Sequence, residues 1–151
     1  GLLHPREVLE RVVEAYRATW PADSYQVLNT VAKICHLYSS QTHTFKYLWE
    51  ERLGQSSDDF QALGDRPVSG GGLRLVMPPH GTDGQEPVSI ELRIESFLKE
   101  PTKLMVDTTF SWPQPRTVGA DQDFDPASYM KDVEKFAAND VWNFISRPRE
   151  L

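Results

Sequence analysis

The chain has 151 residues and a formal net charge of −6, from 22 acidic and 16 basic side chains. This length predicts one domain, residues 1–151, large enough for a hydrophobic core, and it fits either a whole protein or a part of a longer one. The acidic balance, without any run of four basic residues, argues against binding to a nucleic-acid backbone.

The lengths of the apolar runs and the number of cysteines predict where the protein is located and whether it contacts a membrane. No apolar run approaches the roughly 20 residues that a membrane-spanning helix needs, so we expect no membrane partner. The single cysteine, Cys35, cannot form an internal disulfide, which is typical of proteins in a reducing compartment. The sequence therefore predicts a cytoplasmic protein.

The N-terminal segment carries the spacing of an amphipathic helix. Pro5 suits the first helical position, and Pro21 ends the run. Between them apolar residues recur every three or four positions, which predicts one apolar stripe in the core. The stripe consists of Val8, Leu9, Val12, Val13, Tyr16 and Trp20.

Residues 25–37 fit two structures. Their apolar positions favour one helix face slightly, while their content of Val, Ile, Thr and Tyr is typical of strands. The sequence leaves helix and strand open here. Residues 42–53 predict a short amphipathic helix with Gly54 as its C-terminal stop and with Trp49 in the core.

The remaining chain alternates between loops and strands. Residues 55–72 are polar and glycine-rich, which predicts a flexible loop. Alternating apolar residues predict strands at 73–77, 88–95 and 104–111, with loops at 78–87, 99–102 and 112–123. Asp125 then caps a long closing helix that starts at Pro126 and runs until Pro148.

Together these elements define a fold class. Consecutive strands with short connections predict an antiparallel meander, and helices with a single apolar stripe are expected to cover one face of it. The predicted fold is α+β, an antiparallel sheet of three to four strands with helices packed on one face and a long C-terminal helix.

The charged residues of the predicted hairpin raise the question of an active site. If the turn is centred near residue 100, Arg93 lies opposite Asp107, and Glu91 lies opposite Thr109. Neighbouring charges then cancel, whereas a catalytic carboxylate pair needs like charges close together. The row is predicted to be the solvated face of the sheet.

Four stretches carry a resemblance to a known family: GGGLRLVMPP, VSIELRIESF, LMVDTTFSW and DVEKFAANDVWNFISRPREL. They resemble the C-terminal part of a sporadically distributed bacterial protein family without an assigned activity. The resemblance implies a bacterial protein, longer relatives, and a strand that runs into the helix beginning near residue 42. It implies no cofactor and no catalytic residue.

Residue types that form catalytic or metal sites are dispersed along the chain. Six residues separate the closest two histidines, and the side chains of Cys35 and His36 diverge in either a helix or a strand. The SGGG motif precedes a strand rather than a helix, and GADQDFD lacks the distal glutamate of a calcium loop. The sequence therefore predicts no metal, no cofactor and no catalytic residue. Whether the protein is an enzyme is left open, and the residues favour a protein that is not one.

Two functional hypotheses remain. The first is a protein-interaction or accessory module that binds a protein partner or a second copy through Trp112 and Trp142, although Trp142 could equally pack against the 113–124 loop. The second is a small-molecule-binding or hydrolytic domain with a pocket between the sheet and the closing helix. Its polar groups would be His36, Tyr38 and Asp107.

Overall fold

The computed structural model describes residues 4–147. Its helices are α1 (Pro5–Thr19), α2 (Thr44–Lys46), α3 (Pro126–Lys135) and α4 (Trp142–Ser146). Its strands are β1 (Ser24–Val27), β2 (Thr30–Ser39), β3 (Gly72–His80), β4 (Val88–Ser96), β5 (Lys103–Trp112) and β6 (Arg116–Gly119). A π-helical turn, Tyr47–Arg52, extends α2, and another, Phe136–Val141, joins α3 to α4 in one closing helix.

The main sheet has the strand order β2-β5-β4-β3, and each neighbouring pair is antiparallel. The predicted meander is formed by β3, β4 and β5, and β2 adds to the free side of β5. The register matches the prediction, since Arg93 lies opposite Asp107 and Glu91 opposite Thr109. The predicted α+β fold with a long C-terminal helix is confirmed.

The core lies between this sheet and the closing helix. Alternate side chains of β4 and β5 point to the helix and are almost fully buried, as the period of two in a strand requires. Val88 and Ile90 at the start of β4 are only half-buried, less than the sequence predicts. The buried apolar side chains of this layer include Leu92, Ile94, Leu104, Val106, Phe110, Val133, Ala137 and Val141.

The helical preference of residues 25–37 is wrong, because this segment forms β1 and most of β2. All ten residues of β2 pair with β5, and this pairing satisfies backbone groups that helix periodicity alone does not consider. The strand that the resemblance implies before the helix near residue 42 is thus present. That helix begins at Thr44, and Trp49 within it is half-buried against Phe60, with ring centroids 4.9 Å apart.

Three predicted loops contain regular structure. Residues 57–63 of the predicted flexible loop form a 3-10 helix. Strand β3 continues through Pro78 and Pro79 to His80, which is possible because β3 is an edge strand with a register shift between Met77 and His80. The predicted loop 112–123 contains β6, which pairs with β1 as a separate two-stranded ribbon.

The helix boundaries agree closely with the prediction. The Asp125 carboxylate accepts hydrogen bonds from the amides of Ala127 (3.0 Å) and Ser128 (3.3 Å), as a helix cap does. The closing helix ends at Ser146 and Arg147 is extended, so the helix ends just before Pro148, the predicted stop, which itself lies outside the described residues. None of the helices within residues 4–147 is both long and apolar enough to cross a membrane.

Helix α1 forms where predicted, but the placement of its apolar stripe is wrong. No residue of α1 is buried, and Trp20 just beyond its end is 61% exposed rather than in the core. The periodicity correctly identifies an apolar side. It does not reveal that most of this side faces solvent.

Candidate functional site

An exposed apolar row runs along α1, and we call it the outer stripe. Val12 is 58% exposed, which is unusual for an apolar residue at the centre of a helix. Acidic and basic side chains occupy the other side of the same helix, so the stripe is a distinct surface. The outer stripe comprises Val8, Val12, Tyr16 and Trp20.

Polar contacts near both ends attach α1 to the rest of the molecule. Near the N-terminus, Arg6 forms an ion pair with Glu134 of α3. Near the C-terminus, Arg17 donates a hydrogen bond of 3.0 Å to the carbonyl of Gln122 and lies over the ring of Tyr25. These contacts hold α1 in place and leave its outer stripe exposed to solvent.

A shallow groove separates α1 from the β1–β6 ribbon. Its volume is about 290 Å³, and Val12, Tyr16, Val27 and Phe124 are among its mostly apolar lining residues. The ring of Tyr16 meets that of Tyr25 edge-on, with centroids 5.9 Å apart. The outer stripe and this groove therefore form one continuous apolar area.

The two tryptophans predicted as contact residues have different environments. Trp112 is 4% exposed and packs edge-on against Tyr129 at 4.5 Å, so it offers no surface to a partner in this conformation. Trp142 is 46% exposed. Its ring packs against Tyr38 of β2, 5.2 Å away, rather than against the 113–124 loop. A partner contact at Trp142 stays a prediction.

The three residues predicted to line a pocket are not brought together. His36 and Tyr38 point to the covered face of the sheet, whereas Asp107 lies on the open face. The gap between β2 and the closing helix, beside Tyr38 and Trp142, has a volume of about 170 Å³. The Tyr38 hydroxyl donates a hydrogen bond of 3.3 Å to the carbonyl of Ala137, and burial raises its pKa.

Asp107 instead belongs to a small polar cluster on the open face. Lys33 Nζ lies 2.9 Å from its carboxylate, and Cys35 is its cross-strand neighbour. Partial burial raises the pKa of Asp107, but hydrogen bonds from Lys33 and Cys35 and nearby positive charge outweigh this, so the pKa lies below its usual value. Burial and the adjacent carboxylate raise the pKa of Cys35, which makes its thiol a poor nucleophile at neutral pH.

Two further ion pairs lie on the open face, one between β3 and β4 and one within β4. Arg74 lies 2.7 Å from Glu91, and Arg93 lies 3.5 Å from the same carboxylate. The hydrogen bond from Arg74 is the main reason that the pKa of Glu91 is lowered. This arrangement supports the prediction of a solvated face with mutually compensating charges.

A wide cleft lies outside the sheet–helix interface. It has a volume of about 1040 Å³ and lies between the helix that begins at Thr44 and residues 57–69. Phe45 and Phe60 line it together with both acidic and basic side chains, including Lys46 and Arg66. Within residues 4–147 no three His, Cys, Asp or Glu side chains are grouped as metal ligands.

The sequence contains no signal that separates the outer stripe from a core stripe. The six apolar residues between Val8 and Trp20 span an arc of about 140° around the helix axis, which is the ordinary width of a core-facing stripe. Leu9 and Val13, on one flank, are half-buried, and the other flank is left in solvent. This difference arises from tertiary structure and not from the spacing of the apolar residues.

Comparison with known proteins gave no match, whether with protein-family models, curated proteins or solved structures. The resemblance to a bacterial family therefore stays a prediction.

Proposed function

We propose that this chain is a protein-interaction module that binds its partner through the outer stripe of α1. The observation that carries the proposal is the exposure of this stripe, from 44% at Val8 to 61% at Trp20, on a helix attached through polar contacts. Four such side chains present an apolar area on the order of 400 Å², the size of functional patches on monomeric proteins.

The composition of the stripe supports a polypeptide partner. Tyrosine and tryptophan are enriched in protein interfaces, because each buries a large area at a small cost in conformational entropy. Tyr16 and Trp20 already pack together, with centroids 5.1 Å apart, and Tyr25 donates a hydrogen bond to the Trp20 carbonyl. The aromatic end of the stripe is thus preorganised for contact.

The competing pocket hypothesis has weaker support. A drug-sized ligand occupies roughly 300–1,000 Å³, and the gap between the sheet and the closing helix holds only about 170 Å³. The groups predicted for that pocket lie on opposite faces of the sheet. The geometry therefore favours a surface that binds protein over an interior site that binds a small molecule.

A site-specific photo-cross-linker tests the proposal in the cells that produce the protein. Placed at Val12 in the outer stripe, it should form covalent adducts with protein. The matched control is the same group at Glu10, which is also exposed but lies on the charged side of α1. Equal labelling from both positions, or no adduct from position 12 in a folded protein, would contradict the proposed function.

A further inference from the structure

The main sheet has one open edge, formed by β2. The Ser40 amide, one residue beyond β2, donates a hydrogen bond of 2.8 Å to the Thr102 carbonyl. This bond shows which residues of β2 are hydrogen-bonded to β5, since bonded and non-bonded residues alternate along an antiparallel pair. Even-numbered residues of β2 therefore direct their backbone groups to β5, and odd-numbered residues direct theirs away. Within residues 4–147 no strand lies on that side of β2. The outward residues are Val31, Lys33, Cys35, Leu37 and Ser39.

The opposite edge, formed by β3, is protected against strand addition. Its register shifts between Met77 and His80, and the intervening residues, Pro78 and Pro79, have no amide hydrogen to donate. Prolines and bulges at an edge are devices that prevent pairing with another chain. The sheet therefore has one protected edge and one open edge.

Strand β2 lacks these protective features. It has no proline, and its register with β5 is continuous over ten residues. Its one charged outward residue, Lys33, forms an ion pair of 2.9 Å with Asp107 of β5, which offsets part of its charge at the edge. A long regular edge of this kind readily accepts another strand.

We propose that β2 pairs antiparallel with β2 of a second copy, which joins the two four-stranded sheets into one. The proposal goes beyond the function proposed above, because it uses a surface different from the outer stripe. We identify the partner strand as a second β2 because this edge is self-complementary. The unpaired backbone amides and carbonyls of β2 in one copy can bond to the same groups in another copy around a two-fold axis.

The side chains select one register. Hydrogen bonds between the two copies require a residue with outward backbone groups in one strand to lie opposite such a residue in the other. This leaves only alignments in which the partner strand is displaced by two residues at a time. Centring the two-fold axis at Ile34 places the exposed Val31 opposite the partner's Leu37, and Lys33 opposite the partner's Cys35. Shifting the axis to Lys33 puts two like charges opposite each other, and shifting it to Cys35 leaves Leu37 opposite a lysine.

This register has two structural consequences. Four residue pairs each exchange two hydrogen bonds, about eight in all, while the apolar contact stays small, so the association is weak and concentration-dependent. Tyr38 lies opposite the partner's Thr30, which brings the half-exposed ring of Trp142, packed against Tyr38, close to the junction. The proposal thus gives the predicted contact at Trp142 a specific partner.

The single native cysteine allows a direct test. In the variant Lys33→Cys, the new thiol lies opposite the partner's Cys35, within the separation of Cα atoms that a disulfide spans. The matched control is Arg74→Cys, which adds a cysteine at an outward position of the protected β3 edge. Under mild oxidation, we expect at least about tenfold more covalent dimer from Lys33→Cys than from Arg74→Cys.

The other outcomes are equally informative. Similar cross-linking of both variants would overturn the proposal, and so would a wild-type mass in sedimentation equilibrium that stays monomeric at all concentrations. Cross-linking of the wild-type protein as efficient as that of Lys33→Cys would overturn the register, because it requires Cys35 opposite Cys35. Melting curves establish that both variants are folded. A monomeric protein that still forms adducts at Val12 in cells would leave the proposed function intact.

Discussion

Two helices of this molecule have similar amphipathic patterns and opposite environments. Val133 of α3 is fully buried, whereas Val12 of α1 is 58% exposed. The closing helix lies across the apolar face of a four-stranded sheet, which covers its stripe along its whole length. Helix α1 lies beside α3, and an ion pair between Arg6 and Glu134 joins the two helices. The difference shows that periodicity identifies the apolar side of a helix but not what covers it.

The comparison places the hydrophobic core in one region and the proposed interaction surface in the other. Burial of apolar area is the main contribution to folding, and it is concentrated in the sheet and closing helix. An exposed apolar stripe contributes little to the stability of the monomer, and an apolar patch of this kind is typical of a surface that binds a partner. The predictions below test this division, beginning with the largest expected effect.

Leu92→Ala should lower the free energy of unfolding by about 2–5 kcal/mol, because Leu92 is 3% exposed at the centre of the covered face and its truncation leaves a cavity. Denaturant melts followed by circular dichroism measure this loss. A change below about 1 kcal/mol would show that this face is not the core of the protein.

Thr108→Val should raise the free energy of unfolding by about 1 kcal/mol. Thr108 is fully buried, and its hydroxyl has no hydrogen-bond partner within residues 4–147. Valine keeps the branched shape and removes the desolvated hydroxyl. Thr109→Val on the open face is the control and should change little; a loss of stability in Thr108→Val alone would mean that the hydroxyl is hydrogen-bonded.

Asp107→Asn should lower stability at neutral pH by about 1 kcal/mol, because it removes the charge that Lys33 binds. The folded-state pKa of Asp107 lies below its ordinary value of 3.8, so its ionised form stabilises the fold above that pH. The contribution is lost as the pH falls through the folded-state pKa. Urea melts at pH 7 and near pH 3 should show a difference between wild type and variant that shrinks in acid. A difference that is constant with pH would contradict the assignment.

Arg93→Glu should have the smallest effect, a loss of less than about 1 kcal/mol, since the side chain is half-exposed and its ion pair with Glu91 lies in solvent. The substitution also relieves the opposition of Arg93 and Arg74 across β3 and β4. Thermal melts give the change in stability. Loss of partner binding in a variant that melts normally would show that the open face is functional.

Much of the fold could be predicted from local patterns in the sequence. The alternation in β4 and β5 and the short turn between them determine the register, and Asp125 followed by Pro126 determines the start of α3. The assignment of β1, β2 and β6 depends on partners distant in the chain, which no local pattern contains. For the same reason the exposure of Trp20 and the burial of Trp112 were not predictable.

The candidate surfaces were less predictable than the fold. An outer stripe and a core stripe have the same composition, so the sequence places α1 in the core by default. The open edge of β2 follows from strand order, and strand order in this sheet follows from long-range pairing. Of the two tryptophans predicted as contact residues, Trp142 is half-exposed and Trp112 is buried.

The most direct test of the central claim is the same substitution, valine to alanine, in both helices. Alanine raises helix propensity equally at the two sites, so the difference between the variants isolates burial. Denaturant unfolding of the dilute protein should show a loss of about 2 kcal/mol for Val133→Ala and almost none for Val12→Ala. Equal losses at both positions would contradict the claim that the closing helix builds the core while the outer stripe of α1 remains available to a partner.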